Sequence, residues 1–386
     1  MRNFIVNKTH FFIAFTLCVF VMRYAFTVDT FPLLHAIFSG FKFIAWAILF
    51  IFFLKHPQRP DSVILLFAVY FVFLLYTSVI HHTDAIVNLL TTSIDVFFLW
   101  AICKMLLPEH SSFIVKTLIL AFSACIYFNF LLMIVKPNGL YTTFNGNSYF
   151  LLGGNHNQMG RSIITAITLN GYYALQHGKL KKNMIFLIIV SFITLLWVGS
   201  KTSLVGLTLM TLFYLLRSPQ MKTITFCTFI VVYAVMQIMV VVLQKDISGN
   251  RATVYIVEKV LHKDLSFSGR TIVWIKSLSL VEQSPVIGHG VQSTVWHRER
   301  LGVTTTHNIF LHQLVNGGVI LLVLFCFMLV QAIWNYLKHN SEPTQYICFG
   351  FWLFMFMMMM EVYSFPIVAI YLFMLDYTKH LNLSEQ

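Results

Sequence analysis

Ser62-Val63-Ile64-Leu65-Leu66-Phe67-Ala68-Val69-Tyr70-Phe71-Val72-Phe73-Leu74-Leu75-Tyr76-Thr77-Ser78-Val79-Ile80 contains no charged residue and no helix breaker. A helix that crosses a bilayer needs roughly 20 predominantly apolar residues, and this run meets that need. Similar runs recur along the chain, approximately at 10–29, 33–54, 85–107, 112–135, 157–176, 184–199, 202–217, 223–243, 307–336, 345–360 and 363–378. Of the 386 residues 58% are hydrophobic and only 10% are charged, far too apolar for a water-soluble domain. The expected fold class is therefore all-α, a polytopic membrane protein with about twelve transmembrane helices. A β-barrel is excluded because the apolar runs are continuous and do not alternate.

Charge placement sets the expected orientation. With the N-terminus cytoplasmic, thirteen lysines and arginines from Arg2 to Lys379 fall on that side, against Lys136, Arg161 and Lys201 in the opposite short connections. Both termini are then cytoplasmic, and the long segment 244–306 is a large extracytoplasmic loop within a single domain, 1–386. Long loops translocate regardless of charge, so its basic excess, including Arg298 and Arg300, is free to serve a ligand. Two amphipathic helices are expected in it, near 252–262 and near 270–283, the second showing Trp274, Leu278 and Val281 on one face. Ser268 and Gly269 suit the start of that second helix. The six cysteines lie in or beside apolar runs without CxxC spacing and read as packing residues. The first apolar run has no small-residue cleavage site and reads as an uncleaved anchor.

The candidate chemistry gathers on the extracytoplasmic side. Arg270 stands where a helix N-terminus is expected, and unpaired amides, the helix dipole and a guanidinium all favour a phosphate. The alternative is a surface arginine among lipid headgroups. His307 directly precedes an apolar run, where a neutral imidazole could act as a general base toward a hydroxyl; the alternative is an interfacial histidine satisfied by backbone. Asn308 could orient that imidazole or hold a sugar hydroxyl, and His312 reads as structural. Lys201, in Gly199-Ser200-Lys201-Thr202-Ser203, points into the bundle or snorkels, and could counter a phosphate as a point charge. Asn155, Asn157 and Arg161, at the start of another apolar run, suit hydroxyl and phosphate recognition. No DxD-like acidic pair and no phosphate-binding P-loop occurs, so neither metal-held nucleotide-sugar chemistry nor ATP is indicated, and no cofactor is expected. An outward-facing enzyme without nucleotide needs a donor that is already activated, and a lipid diphosphate is the natural one.

Ser268-Gly269-Arg270 with Trp274, then Ser284-Pro285-Val286-Ile287-Gly288-His289-Gly290, then His307-Asn308 and Gly317-Gly318, resembles the O-antigen ligase/polymerase family. Gly199-Ser200-Lys201-Thr202-Ser203 and Gly153-Gly154-Asn155-His156-Asn157 add to the likeness, which covers residues 153–318 in order. The resemblance implies a GT-C-type glycosyltransferase of the bacterial cytoplasmic membrane. Such an enzyme works at the outer face on an undecaprenyl-diphosphate-linked glycan, without metal and with inversion. By the same resemblance Arg270 and Lys201 hold the diphosphate, and His307 activates the acceptor hydroxyl. The acceptor is another lipid-linked glycan or lipid A-core, a chain-length regulator is a further partner, and nucleic acid is not. Ligases of the family carry arginine where Lys201 stands, and a further glycine where Leu321 stands. Those departures, with Phe-Ser-Gly-Arg-Thr at 267–271, favour a Wzy-type repeat-unit polymerase over a ligase. A lipid-linked oligosaccharide flippase is the reading from another class, disfavoured because no inverted repeat or mid-membrane helix break is legible.

Overall fold

The computed structural model describes residues 8–25, 32–142, 148–152, 158–178, 181–242, 270–338, 341–363 and 365–381. These fold into helices α1 (Lys8–Ala25), α2 (Pro32–Lys55), α3 (Ser62–Ile80), α4 (Ile86–Val135), α5 (Gln158–His177), α6 (Lys181–Trp197), α7 (Lys201–Leu215) and α8 (Pro219–Met236). A π-helical turn, Gln237–Val242, extends α8, and α9 (Arg270–Gln283), α10 (Thr294–Leu301), α11 (Ile309–Lys338), α12 (Glu342–Met357) and α13 (Phe365–Leu381) follow. A two-residue hairpin, β1 (Tyr141–Thr142) against β2 (Ser148–Tyr149), lies between α4 and α5. The protein is thus an all-α polytopic membrane protein. Six helical stretches among the described residues are long and apolar enough to cross a membrane by length and composition.

The expected spans 85–107 and 112–135 are the two halves of α4, Ile86–Leu107 and Glu109–Val135, joined at a kink where His110 leaves helical angles. Proline is tolerated at the first turn of a helix, so Pro108 can open the second half without ending the first. The expected amphipathic helix near 270–283 is α9, and it buries Val273, Trp274, Ser277 and Leu280. The other one, near 252–262, lies outside the described residues, as do Ser268 and Gly269.

Helices differ sharply in what surrounds them. α2, α3 and α8 expose large apolar side chains such as Phe43, Val72 and Val231, the surface a bilayer would cover. α5 and α12, by contrast, are buried along most of their length. They can approach closely because a side chain is missing at the crossing. A Cβ on Gly171 would stand 2.0 Å from the Tyr346 ring, and one on Gly350 would stand 2.3 Å from Thr168 Oγ1. Without a hydrophobic force between helices in lipid, such small-residue contacts let backbones pack. One buried charge pair is also satisfied inside the bundle: Lys42 Nζ lies 3.3 Å from Asp95 Oδ2, and Trp46 Nε1 donates to Asp95 Oδ1 at 3.1 Å.

The two glycine elements singled out above meet in space. α11 breaks at Gly317 and at Gly318, whose φ is +61°. The loop 285–290 docks into that break, with His289 N donating to Val315 O, Gly290 N to Asn316 O and Val319 N to Pro285 O, all at 2.8–2.9 Å. A broken helix leaves unpaired backbone groups that a membrane protein must satisfy internally, and the loop supplies their partners. Contact is backbone to backbone. A Cβ on Gly288 would stand 2.4 Å from Gly317 N, and one on Gly318 2.3 Å from Val286 O. Mid-helix breakage, not legible in the sequence, is therefore present in α11.

Candidate functional site

The last turn of α12 is the hub of the site. A helix C-terminus leaves carbonyls without intrahelical partners, and here other elements supply the donors. Tyr233 Oη donates to Met355 O at 3.1 Å, Ile309 N to Met358 O at 3.0 Å and Asn308 Nδ2 to Met359 O at 3.3 Å. Arg270 Nε donates to Met360 O at 2.9 Å. The first residue of α9 and the start of α11 are thereby tied to one point, although they are distant in sequence.

Asn308 is fully buried, and its side chain is used within the protein. Its Oδ1 accepts from Phe310 N at 3.0 Å and Leu311 N at 3.1 Å, capping α11. Its Nδ2 donates to Gln237 Oε1 at 3.0 Å as well as to Met359 O. An amide has two donors and one carbonyl oxygen, so Asn308 has no remaining hydrogen for a sugar. In this structure its side chain serves the start of α11 and the end of α12. Gln237 reaches it from the π-helical turn and also donates to Tyr233 Oη at 3.1 Å.

His307, which precedes Asn308, adopts φ +52°, a left-handed conformation uncommon for a residue with a side chain. Its N–H donates to Thr305 Oγ1 at 3.2 Å. Its Nδ1 lies 3.3 Å from Glu361 Oε1, within ion-pair range though not aligned as a hydrogen bond. Glu361 follows the Met357–Met360 run and is buried. Tyr363, two residues on, is buried too. Burial, with Glu361 adding to it, pushes the Tyr363 phenol above its usual range, while Arg161 and Arg270 pull in the other direction. Arg161, Arg270, Glu361 and Tyr363 therefore share one electrostatic neighbourhood. Burial lowers Arg270 below the usual guanidinium range, opposed by Glu361 and Tyr363, yet arginine stays protonated in proteins.

Lys201 is the first residue of α7, partly buried. Among the described residues it makes no ion pair or hydrogen bond with Arg270. The helix ends beneath the two are nonetheless connected, because a Cβ on Gly160 would stand 2.1 Å from Ser203 Oγ and 3.0 Å from Met357 Sδ. The first turns of α5, carrying Arg161, and of α7, carrying Lys201, thus pack against the end of α12. Arg298 and Arg300 are exposed on α10, with Arg300 over the Trp296 ring at 5.4 Å. Among the described residues neither makes a polar contact with the hub. Asn155 and Asn157 lie outside the described residues. His312 pairs with Asn316, its Nε2 3.0 Å from Asn316 Nδ2, one helical turn along α11.

Glu361 and Tyr363 are the site residues that sequence reading missed. The available signal was an acid directly after four methionines in an apolar run, since ionisable groups at such positions default to function.

Two arginines in one electrostatic neighbourhood and an imidazole beside a carboxylate suit a polyanionic substrate and a proton acceptor. Among the described residues no group of three or more His, Cys, Asp or Glu side chains could hold a metal ion.

Comparison with known proteins gives two partial matches. Residues 186–326 match the family model Wzy_C, O-antigen ligase. The chain is also similar to the exopolysaccharide production protein ExoQ of Rhizobium meliloti (strain 1021), 28% identical over 105 residues covering 23% of this chain and 24% of that protein. The matched family segment contains Lys201, Arg270, His307 and both glycine elements, but ends before Glu361 and Tyr363. Both matches are to proteins of the O-antigen ligase/polymerase kind and support the resemblance, over part of the chain only.

Proposed function

We propose that the protein is a polysaccharide polymerase that joins lipid-diphosphate-linked glycan repeat units at the outer face of the bacterial cytoplasmic membrane. The observation that carries this reading is the convergence of Arg270, Arg161, His307 and Glu361 on the end of α12. In the proposed reaction the two guanidiniums and Lys201 hold the diphosphate of an undecaprenyl-linked donor. His307 takes the proton of the acceptor sugar hydroxyl as its oxygen attacks the anomeric carbon from the opposite side. Glu361 stabilises the imidazolium that forms. The C–O bond to the diphosphate breaks, and undecaprenyl diphosphate leaves as an anion, so no general acid is required. The protein's own groups supply the needed electrostatics, so the step proceeds without metal.

The positive-inside count supports an extracytoplasmic hub, on the side where a translocated lipid-linked donor would be found. A ligase transferring the glycan to lipid A-core is the second reading, favoured by the family match at 186–326. Lys201 in place of a ligase arginine favours polymerisation. The glycan profile of a deletion strain separates them. A polymerase deletion leaves single repeat units on the surface acceptor, whereas a ligase deletion leaves long lipid-linked polymer and a bare acceptor. Units retained on the inner leaflet would overturn both in favour of a flippase.

A further inference from the structure

A directional chain of hydrogen bonds runs from the residue after His307 to the end of α12. Asn308 Nδ2 donates to Gln237 Oε1 at 3.0 Å, Gln237 Nε2 to Tyr233 Oη at 3.1 Å, and Tyr233 Oη to Met355 O at 3.1 Å. All three side chains are more than nine-tenths buried. The direction is set at the far end. Met355 O is a carbonyl and can only accept, so the single hydrogen of Tyr233 is committed to it. The Tyr233 oxygen must then accept, and within the Gln237 side chain only the amide nitrogen can donate. Gln237 Oε1 is thereby left facing Asn308.

That oxygen selects the rotation of the Asn308 amide. Its nitrogen points to Gln237 and Met359 O, and its oxygen to Phe310 N and Leu311 N. Turned over, the amide would set hydrogens against the two backbone N–H groups and its oxygen against two acceptors.

The rotation bears on His307 through the backbone. A left-handed residue with a side chain persists only where its surroundings over-determine it, and His307 has φ +52°. Thr305 Oγ1 accepts from His307 N at 3.2 Å, and Thr306 Oγ1 donates to Asn308 O at 2.9 Å. The Asn308 cap on α11 completes the clamp on the far side of His307. Gln237 also opens the π-helical turn that extends α8, and such turns are rare and frequent at functional sites.

We propose that Gln237 is a positioning residue for His307: its carbonyl oxygen sets the Asn308 amide, and through it the backbone that aims the imidazole at the acceptor hydroxyl. The inference rests on the proposed role of His307 as general base. Gln237 itself touches no substrate.

Two substitutions separate positioning from packing. Gln237→Met keeps the length and removes the oxygen, whereas Gln237→Glu presents an oxygen to Asn308 in either protonation state. Full-length protein in proteoliposomes is assayed with the lipid-linked repeat unit that accumulates in the deletion strain. Rates are normalised to donor bound, so that a misfolded fraction does not count as lost turnover. Gln237→Met is expected to lower kcat about tenfold with donor KM nearly unchanged, because small displacements of a reacting group are costly. Gln237→Glu is expected to retain most of the wild-type kcat. A packing role predicts the reverse order, since Met fills a buried site better than Glu. Turnover of Gln237→Met equal to wild type, or above that of Gln237→Glu, overturns the proposal. Should neither variant fold, Tyr233→Phe frees the Gln237 amide to turn and is expected to lower kcat several-fold; wild-type turnover there overturns the proposal as well. His307→Ala is the control. If it is inactive while Gln237→Met is unaffected, the positioning role alone fails. If it is active, the general-base reading fails and this inference with it.

Discussion

His307 Nδ1 and Glu361 Oε1 lie 3.3 Å apart, joining the residue before the α11 cap to the residue that follows the last turn of α12. In the proposed mechanism Glu361 faces the imidazole that takes the acceptor's proton. Catalytic contacts are often loose before substrate arrives and tighten in the reacting complex. Substituting Glu361→Gln keeps the shape and removes the charge. Turnover is expected to fall by about 10²-fold or more with little change in KM, measured as glycan transfer in proteoliposomes. Unchanged turnover would remove Glu361 from the mechanism.

Lys201 is assigned a point-charge role, without bidentate geometry. Activity of Lys201→Arg is therefore expected to exceed that of Lys201→Ala, because the charge is kept. Polymer ladders from cells carrying each variant measure the difference. Equal activity of the two would refute a diphosphate role.

Gly288 and Gly318 hold the loop 285–290 against the break in α11, both with positive φ and both without room for a Cβ. Either Gly→Ala change is expected to cost more than about 2 kcal/mol, through strain and backbone clash together. Thermal unfolding in detergent reads this loss. By comparison, Gly40 meets nothing within 4 Å of an added Cβ, and Gly40→Ala should leave stability unchanged or slightly higher.

His297 is buried on α10, and burial lowers its pKa from 6.5 to about 4. Between those values the unfolded chain binds a proton that the folded one does not, so stability rises with pH across that window and levels off above it. His297→Gln should flatten this part of the stability profile. A profile unchanged by the substitution would show that another group sets the acid limb.

Transfer is expected to continue in the presence of a chelator, since the charges on the substrate are met by Arg161, Lys201 and Arg270. Loss of activity with EDTA, restored by a divalent ion, would contradict that assignment.

Much of the architecture is legible because hydropathy is local. The run 62–80 coincides with α3, and 33–54 differs from α2 by one residue at each end. The break between 85–107 and 112–135 falls at the His110 kink, where Pro108 can open the second half of α4. The role of the glycine motifs was not legible. Their function is a backbone contact between residues some thirty positions apart, such as Gly288 and Gly317. Arg270 and His307 could be singled out from their positions at helix starts, whereas Glu361 carried only the signal of an acid after an apolar methionine run. Its partner lies on another helix, and nothing near Glu361 in the chain signals that it faces a histidine.

The central claim is that the end of α12 is where glycosyl transfer occurs, with Arg270 on the leaving diphosphate and His307 on the attacking hydroxyl. The most direct measurement is release of undecaprenyl diphosphate from a lipid-linked glycan donor by purified, reconstituted protein. Wild type is compared with Arg270→Ala and His307→Ala at matched amounts of inserted protein. Release and glycan extension in the wild type, with both lost in each variant, is the predicted result. Near-normal release from either variant would contradict the account.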